Sequence, residues 1–483
     1  MRAQIHFTRR DFIRSAALAL AGTTVMACAP NAPATSAPAA EPVAPAEATK
    51  APATKEAQKV VWYVRASPTE NPWQRDEVIP AFKQLHPEID IELIMTPSTE
   101  AFTKLLAMDA AGTTPDVWAN NFGAGFTAGL GLEMIRPLSD YIDVSSDVKM
   151  ENFGPVVIDL FSRAGKVWAI PFMTCGSFVF YNKDLFDAAG VEYPSFDWDD
   201  KDWTWEKMVE LAGKLTKDID KGPEAQYGLR ISNGWVWYLA QWLWGVAPYT
   251  PEDDKTGYPC KINLTSEEAL AGYQACIDLV YKDKVAPPPA QIEVISAGGN
   301  PFFTGKLAMD LGGGWGFWSR RDFTDFRFGA AAIPWQVSNS GPVWPDANMV
   351  GRRSKVAESG WKLVEYISGG EGLRGYVQAT NAQPANKLLW DEWYSIFQEK
   401  VPLEELKAGM EGALKYGKLV FSHTMPDSGE IGTVLTQNLD PMFLGTKDVR
   451  NAAIDAEAAV NKMLEKNCGK TLEDAANSII GSL

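Results

Sequence analysis

Nucleophilic catalysis needs a base beside the nucleophile, and this 483-residue chain is short of bases: its three histidines are His6, His86 and His423. A Ser-His-Asp or Cys-His set requires one well-placed imidazole, and common zinc hydrolase sites require two or three. His6 belongs to an N-terminal export segment, and His86 precedes Pro87 at a predicted helix end, where a cation suits the helix dipole. His423 stands alone between Ser422 and Thr424, so no catalytic residue and no metal site is expected. Asp197, Asp199, Asp200 and Asp202 have the composition of a calcium loop. Trp198 between them and the missing loop glycine break that pattern, which leaves a solvated loop. Gly312 to Gly316 is no dinucleotide fingerprint, because no amphipathic helix and distant acidic residue follow it; no cofactor is expected.

The aromatic residues suit different chemistry. Eighteen tryptophans exceed what a core requires. Neutral sugars present hydroxyls around the ring edge and C–H on its face, so a site for them combines flat aromatic rings with planar polar groups. Trp235, Trp237, Trp242 and Trp244 cluster within one short stretch, and Ser232-Asn233-Gly234 is a turn that delivers Trp235 to a cleft. Trp237 and Trp244 are seven apart, a spacing that also suits a helix packed on the core. Trp315 is the strongest candidate, because glycines at 312, 313, 314 and 316 let backbone approach a ligand and expose the ring.

These side chains need a frame. Val60 to Arg65 reads as a buried strand, Asp76 to Leu85 as a helix stopped by Pro87, and Ile89 to Met95 as an alternating strand. Ala101 to Ala111 reads as a helix, Asp116 to Ala119 as a strand and Phe126 to Leu130 as a helix start. This βαβαβ order predicts a mainly parallel sheet covered by helices, with ligands beyond the carboxyl ends of its strands. Those ends carry Ala66 and Ser67, then Asn120 and Asn121. Gly165 to Tyr181 reads as two consecutive strands interrupted at Thr174-Cys175-Gly176, which suits a hinge.

The ends of the chain bear on location. Arg9 and Arg10, followed by Asp11 and Phe12, resemble a twin-arginine export signal. The apolar stretch from Ala16 to Ala27 is about twelve residues, whereas a membrane-spanning helix takes roughly twenty. Val25-Met26-Ala27-Cys28 resembles a lipobox, which makes Cys28 the acylated N-terminus of the mature chain and its link to the membrane. Ala29 to Lys59 is almost wholly Ala, Pro, Thr, Ser, Glu and Lys, a tether of r.m.s. reach on the order of 30 Å. Residues 1–27 hold four basic residues and one acidic residue, so their removal leaves 41 Lys+Arg against 60 Asp+Glu, a net charge of −19. Such a surface repels nucleic acid. Outside the cell a disulfide is permitted, and Cys260 with Cys276 is the expected pair.

Gly165-Lys166-Val167-Trp168-Ala169-Ile170-Pro171, Tyr181-Asn182-Lys183-Asp184-Leu185-Phe186, Ala189-Gly190-Val191 and Trp203-Thr204-Trp205-Glu206 occur in that order. Together with Pro115-Asp116-Val117, Phe303-Thr304-Gly305-Lys306-Leu307-Ala308-Met309 and Gly313-Gly314-Trp315, they resemble the extracellular solute-binding protein family 1. Its members are the maltose-binding-protein-like sugar receptors of ABC importers. The resemblance covers roughly Val60 to Leu483. It implies a periplasmic-binding-protein-like (type II) α/β fold of two lobes joined by crossing hinge segments, with ligand in the cleft between them. The first lobe would comprise 60–172 and 335–384 and the second 173–334 and 385–483, after a signal peptide (1–27) and a tether (28–59). It implies a non-catalytic monomer whose partners are a carbohydrate, expected to be an oligosaccharide, and the membrane permease. Trp315, Asn120, Asn121 and Ser67 would contact the sugar, and Arg65, Trp235, Trp237, Cys175, Phe317 and Glu430 complete the expected set. Two alternatives stay open: a membrane-anchored glycoside hydrolase or polysaccharide-binding lipoprotein, since paired carboxylates cleave glycosides without histidine, and the same fold holding a non-sugar solute such as glycerol phosphate, for which Arg65 and Arg230 are the candidate cations.

Overall fold

The computed structural model describes residues 57–483 except 121–124, 232, 297–299, 318–322, 324 and 421–423. Arg9, Arg10, Cys28, Asn121 and His423 lie outside the described residues, as do the side chains of Trp235 and Phe317.

The first strands alternate as their sequences require. β1 (Gln58–Arg65) buries Val60, Trp62 and Val64 on one face and Tyr63 on the other. It pairs in parallel with β2 (Ile89–Thr96), from Gln58 opposite Ile89 to Arg65 opposite Thr96, and with β3 (Val117–Ala119) on its other side. The connections are helical. One runs through a π-helical stretch, Trp73–Val78, into the α-helix Ile79–Leu85, which ends at His86; the other is Ser98–Ala110. A short hairpin, β4 (Ser162–Arg163) and β5 (Lys166–Val167), turns at Ala164 and Gly165, both at positive φ. Fully buried β6 (Ile170–Cys175) and β7 (Ser177–Asn182) follow, separated by Gly176.

Those two strands enter different sheets. β6 pairs antiparallel with β11 (Pro342–Val350) in a sheet ordered β12-β11-β3-β1-β2, where β12 is Lys418–Leu419. β7 enters a second sheet with β8 (Tyr227–Ile231), β9 (Leu307–Gly313) and β10 (Phe328–Ala331), ordered β10-β7-β9-β8. The chain returns to the first sheet between β10 and β11. It touches β6 again where Pro384 bridges Met173 and the Thr174 amide donates to the Gln383 carbonyl at 3.1 Å. Glycine at 176 is a packing requirement, since a Cβ there would stand 2.3 Å from that of Ala413.

Two expectations are corrected. Cys260 is bonded to Cys468, with Cα atoms 4.9 Å apart, and not to Cys276. Cys276 lies inside the helix Glu267–Tyr281, buried with Leu270, Tyr273 and Ile277, and burial pushes its thiol up to about 12. The helical period decides where Cys276 points, whereas closeness in sequence to Cys260 does not. The second correction concerns the C-terminal region, expected wholly in the second lobe. β12 belongs to the first sheet, and Leu472, Ala476 and Ile479 are fully buried in the apolar cluster of Phe126, Phe161 and Trp168.

Candidate functional site

The carboxyl end of β1 leads into a hydrogen-bonded turn. Ser67 Oγ accepts the Glu70 amide at 3.2 Å, while Asn71 accepts the Ser67 amide at 2.7 Å and donates to the Arg65 carbonyl at 2.9 Å. Ser67 thus shapes the turn and stays partly exposed beside the strand end. Arg65 makes a two-pronged ion pair with Glu70, at 2.6 and 3.0 Å. Burial opposes its charge, but the Glu70 carboxylate more than offsets that and raises the guanidinium pKa. Tyr376 donates to the same carboxylate at 2.9 Å, and burial, reinforced by Glu70, holds its phenol well above the usual range. Asp346, 6 % exposed on β11, acts electrostatically on Arg65, Tyr376 and Cys175.

Trp315 stands just beyond the end of β9. It is 40 % exposed and meets Trp344 edge to face, ring centroids 4.7 Å apart. The glycines make this placement attainable: a Cβ on Gly313 would lie 2.4 Å from the Trp315 ring, and one on Gly314 would lie 2.2 Å from Gln383 Oε1. The Gly314 amide donates to the Gly176 carbonyl at 2.7 Å, which fastens the tryptophan turn to the junction of β6 and β7. Cys175 pairs with Trp344 across the strands and adjoins the Trp315 backbone. Burial pushes its thiol pKa far up, so it packs as a small apolar group and supplies no thiolate.

The other expected residues divide. Asn120 is placed as a lock and not as a sugar contact: its Oδ1 accepts the Ala347 amide at 2.6 Å and its Nδ2 donates to the Pro345 carbonyl at 3.2 Å. A side-chain amide spent on two backbone groups at 3 % exposure holds β3 to β11. Trp237 is 8 % exposed and packed in the core beside Trp242, as its helical spacing also allowed. Glu430 is exposed on the helix Ser428–Phe443, 3.5 Å from Lys466, and no described contact joins it to the Trp315 group. Arg230 is paired with Asp310 at 2.8 Å. Two members of the site were missed. Trp344 and Asp346 lie two apart on an apolar strand, a spacing that puts both on one face.

β12 borders a separate chamber of about 650 Å³, lined among others by Arg163, Trp242, Tyr249, Asp254, Lys418 and Glu473. Val343, adjacent to Trp344, packs there against Gly417. Partial desolvation against the chamber wall pushes the Asp254 carboxyl up to about 6, with Lys418 acting against it, although the side chain keeps an exposed edge.

A sequence model of bacterial extracellular solute-binding proteins matches residues 66–372. The chain belongs to this family. Among relatives of this solute-binding protein is a binding protein of Brucella abortus, 24 % identical over 404 residues that cover 81 % of this chain and 90 % of the other. A mannitol-binding protein of Pseudomonas aeruginosa is 33 % identical over 103 residues, 21 % of each chain. In fold, the solute-binding protein is similar to an ABC substrate-binding protein from Listeria monocytogenes in complex with cycloalternan, with a TM-score of 0.70 and 21 % identity over 84 % of this chain and 99 % of the other. A maltose-bound protein from Thermotoga maritima aligns with a TM-score of 0.65 and 18 % identity over 84 % and 100 % of the two chains. The architecture is therefore that of a type II periplasmic binding protein, two α/β lobes joined by hinge segments.

Proposed function

We propose that this solute-binding protein is the extracytoplasmic receptor of an ABC importer, that it captures a sugar, an oligosaccharide, against Trp315, and that acylated Cys28 tethers it near its permease. The observation that carries the reading is the exposed Trp315 ring, braced edge to face on Trp344. A flat, exposed aromatic face suits the C–H face of a polyol ring. The mannitol-binding relative, an arabinooligosaccharide-binding relative and the cycloalternan-bound neighbour support the same ligand class. Phosphate is the weaker reading, because Arg65 and Arg230 are already committed to Glu70 and Asp310. Lobe closure follows if ligand contacts both lobes in the closed state and one in the open state.

A thermal-shift screen against polyols, mono- and oligosaccharides and glycerol phosphate tests the ligand class, since a ligand that binds only the native state raises its melting temperature. A shift with saccharides and none with glycerol phosphate is expected; the reverse result would overturn the sugar reading. Long incubation with the bound saccharide should return it unaltered by chromatography, and steady production of shortened saccharides would restore the glycosidase. Changing Cys28 to Ser should release the protein from membranes.

A further inference from the structure

The C-terminal segment is attached to both lobes. Helix Val449–Leu464 is held on the second: Glu457 accepts the Leu264 amide at 2.7 Å and Thr265 Oγ1 at 2.9 Å, and Asn461 accepts the Ile262 amide at 2.7 Å. A few residues on, helix Leu472–Ile480 lies on the first lobe, with Leu472, Ala476 and Ile479 at 0 % exposure. Glu473 accepts the Ala164 amide at 2.9 Å, Ser478 donates to Glu133 at 2.9 Å, and Arg352 donates to Ser482 at 2.7 Å. Between the two helices Cys468 is bonded to Cys260, just after Tyr258, whose hydroxyl lies so close to Gly131 of the first lobe that a Cβ there would be 2.3 Å from it.

We propose that residues 465–483 form a strap across the two lobes and that the Cys260–Cys468 bond sets its slack. Thr471 is three residues from Cys468, a reach of about 10 Å when extended. Without the bond, the nearest covalent hold is the end of the preceding helix at Leu464, seven residues away, a reach of about 24 Å. The bond therefore limits how far the lobes separate along this edge while the last helix stays docked. The same strap borders the chamber beside β12: Tyr249, Pro251, Asp254 and Lys255 line it from the Cys260 side, and Glu473 lines it from the strap itself.

The full chain and its Cys260→Ser/Cys468→Ser variant, both ligand-free and without reductant, are to be compared by hydrogen exchange and small-angle scattering. Loss of the bond should speed exchange of the Leu472–Ile480 amides by about tenfold or more, as local opening becomes easier, and should increase the radius of gyration. Leu472→Asp with the bond intact, or deletion of 472–483 if that variant does not fold, should give the same increase. Combining it with the cysteine changes should add nothing further, because one strap is cut twice. Unchanged exchange and scattering on loss of the bond, additive increases, or alkylation of Cys260 and Cys468 in the unreduced parent would each overturn the strap.

Discussion

Trp315 and Asn120 both stand at the ends of strands that meet the cleft, yet their surroundings assign them opposite roles. Trp315→Ala removes an exposed face and should lower sugar affinity by roughly thirty-fold to a thousand-fold, an aromatic hot spot of about 2 to 4 kcal/mol. The ligand-free melting temperature should hardly change, and calorimetric titration beside a melt measures both. Asn120→Ala should do the converse. It strands the Ala347 amide and Pro345 carbonyl in a buried setting, so urea denaturation should show a loss of about 1 to 3 kcal/mol while affinity of the folded protein stays near that of the parent. The exposed placement of Trp315 was legible because its glycines announce a close backbone approach. The role of Asn120 was not, since its partners lie 225 and 227 residues away and a strand-end asparagine reads the same whether it faces ligand or backbone.

At the scale of elements, the motifs that mark the family mostly build the scaffold. In Tyr181-Asn182-Lys183-Asp184, Asn182 caps the helix Lys183–Ala189 by accepting the Asp184 and Leu185 amides, and Gly190 ends it in the left-handed conformation. Thr204 caps Trp205–Leu215 in the same manner. Lys183 donates to Glu405 at 2.8 Å in a buried pair that also receives Tyr181 at 3.3 Å. Lys183→Met leaves the Glu405 charge buried without its cation and should destabilise the protein by about 3 to 5 kcal/mol in a denaturant titration. Lys183→Met combined with Glu405→Leu should recover much of that loss. The caps and the strand alternation could be read from local sequence, because each depends on neighbours a few residues away, whereas the need for glycine at 176 comes from Ala413, far along the chain. The ion pair, the Arg65–Glu70–Tyr376 group and the true disulfide partner could not, because the fold alone brings those residues together.

For the whole molecule, the chamber between the lobes links stability to pH. Asp254 keeps an exposed edge but lies against the chamber wall, and the partial loss of water around it pushes its carboxyl up to about 6, so the folded state disfavours its ionised form. Its contribution to stability is complete below the unfolded pKa near 4 and is lost as pH rises through about 6. Asp254→Asn should therefore melt higher than the parent at pH 7 and together with it below pH 4. Calorimetric scans at both values check the sign, and an equal offset at both would remove Asp254 as the cause.

Among the described tryptophans Trp315 alone is exposed, while rings such as Trp118, Trp168 and Trp393 are almost wholly buried. A small aqueous quencher such as acrylamide therefore acts unevenly on the emission of this chain, reaching the ring at the cleft far more readily than those sealed in the core. If a saccharide lies on Trp315, as proposed, it shields that ring, and the accessible part of the emission should fall as the site fills, which would give an optical gauge of occupancy with no dye attached.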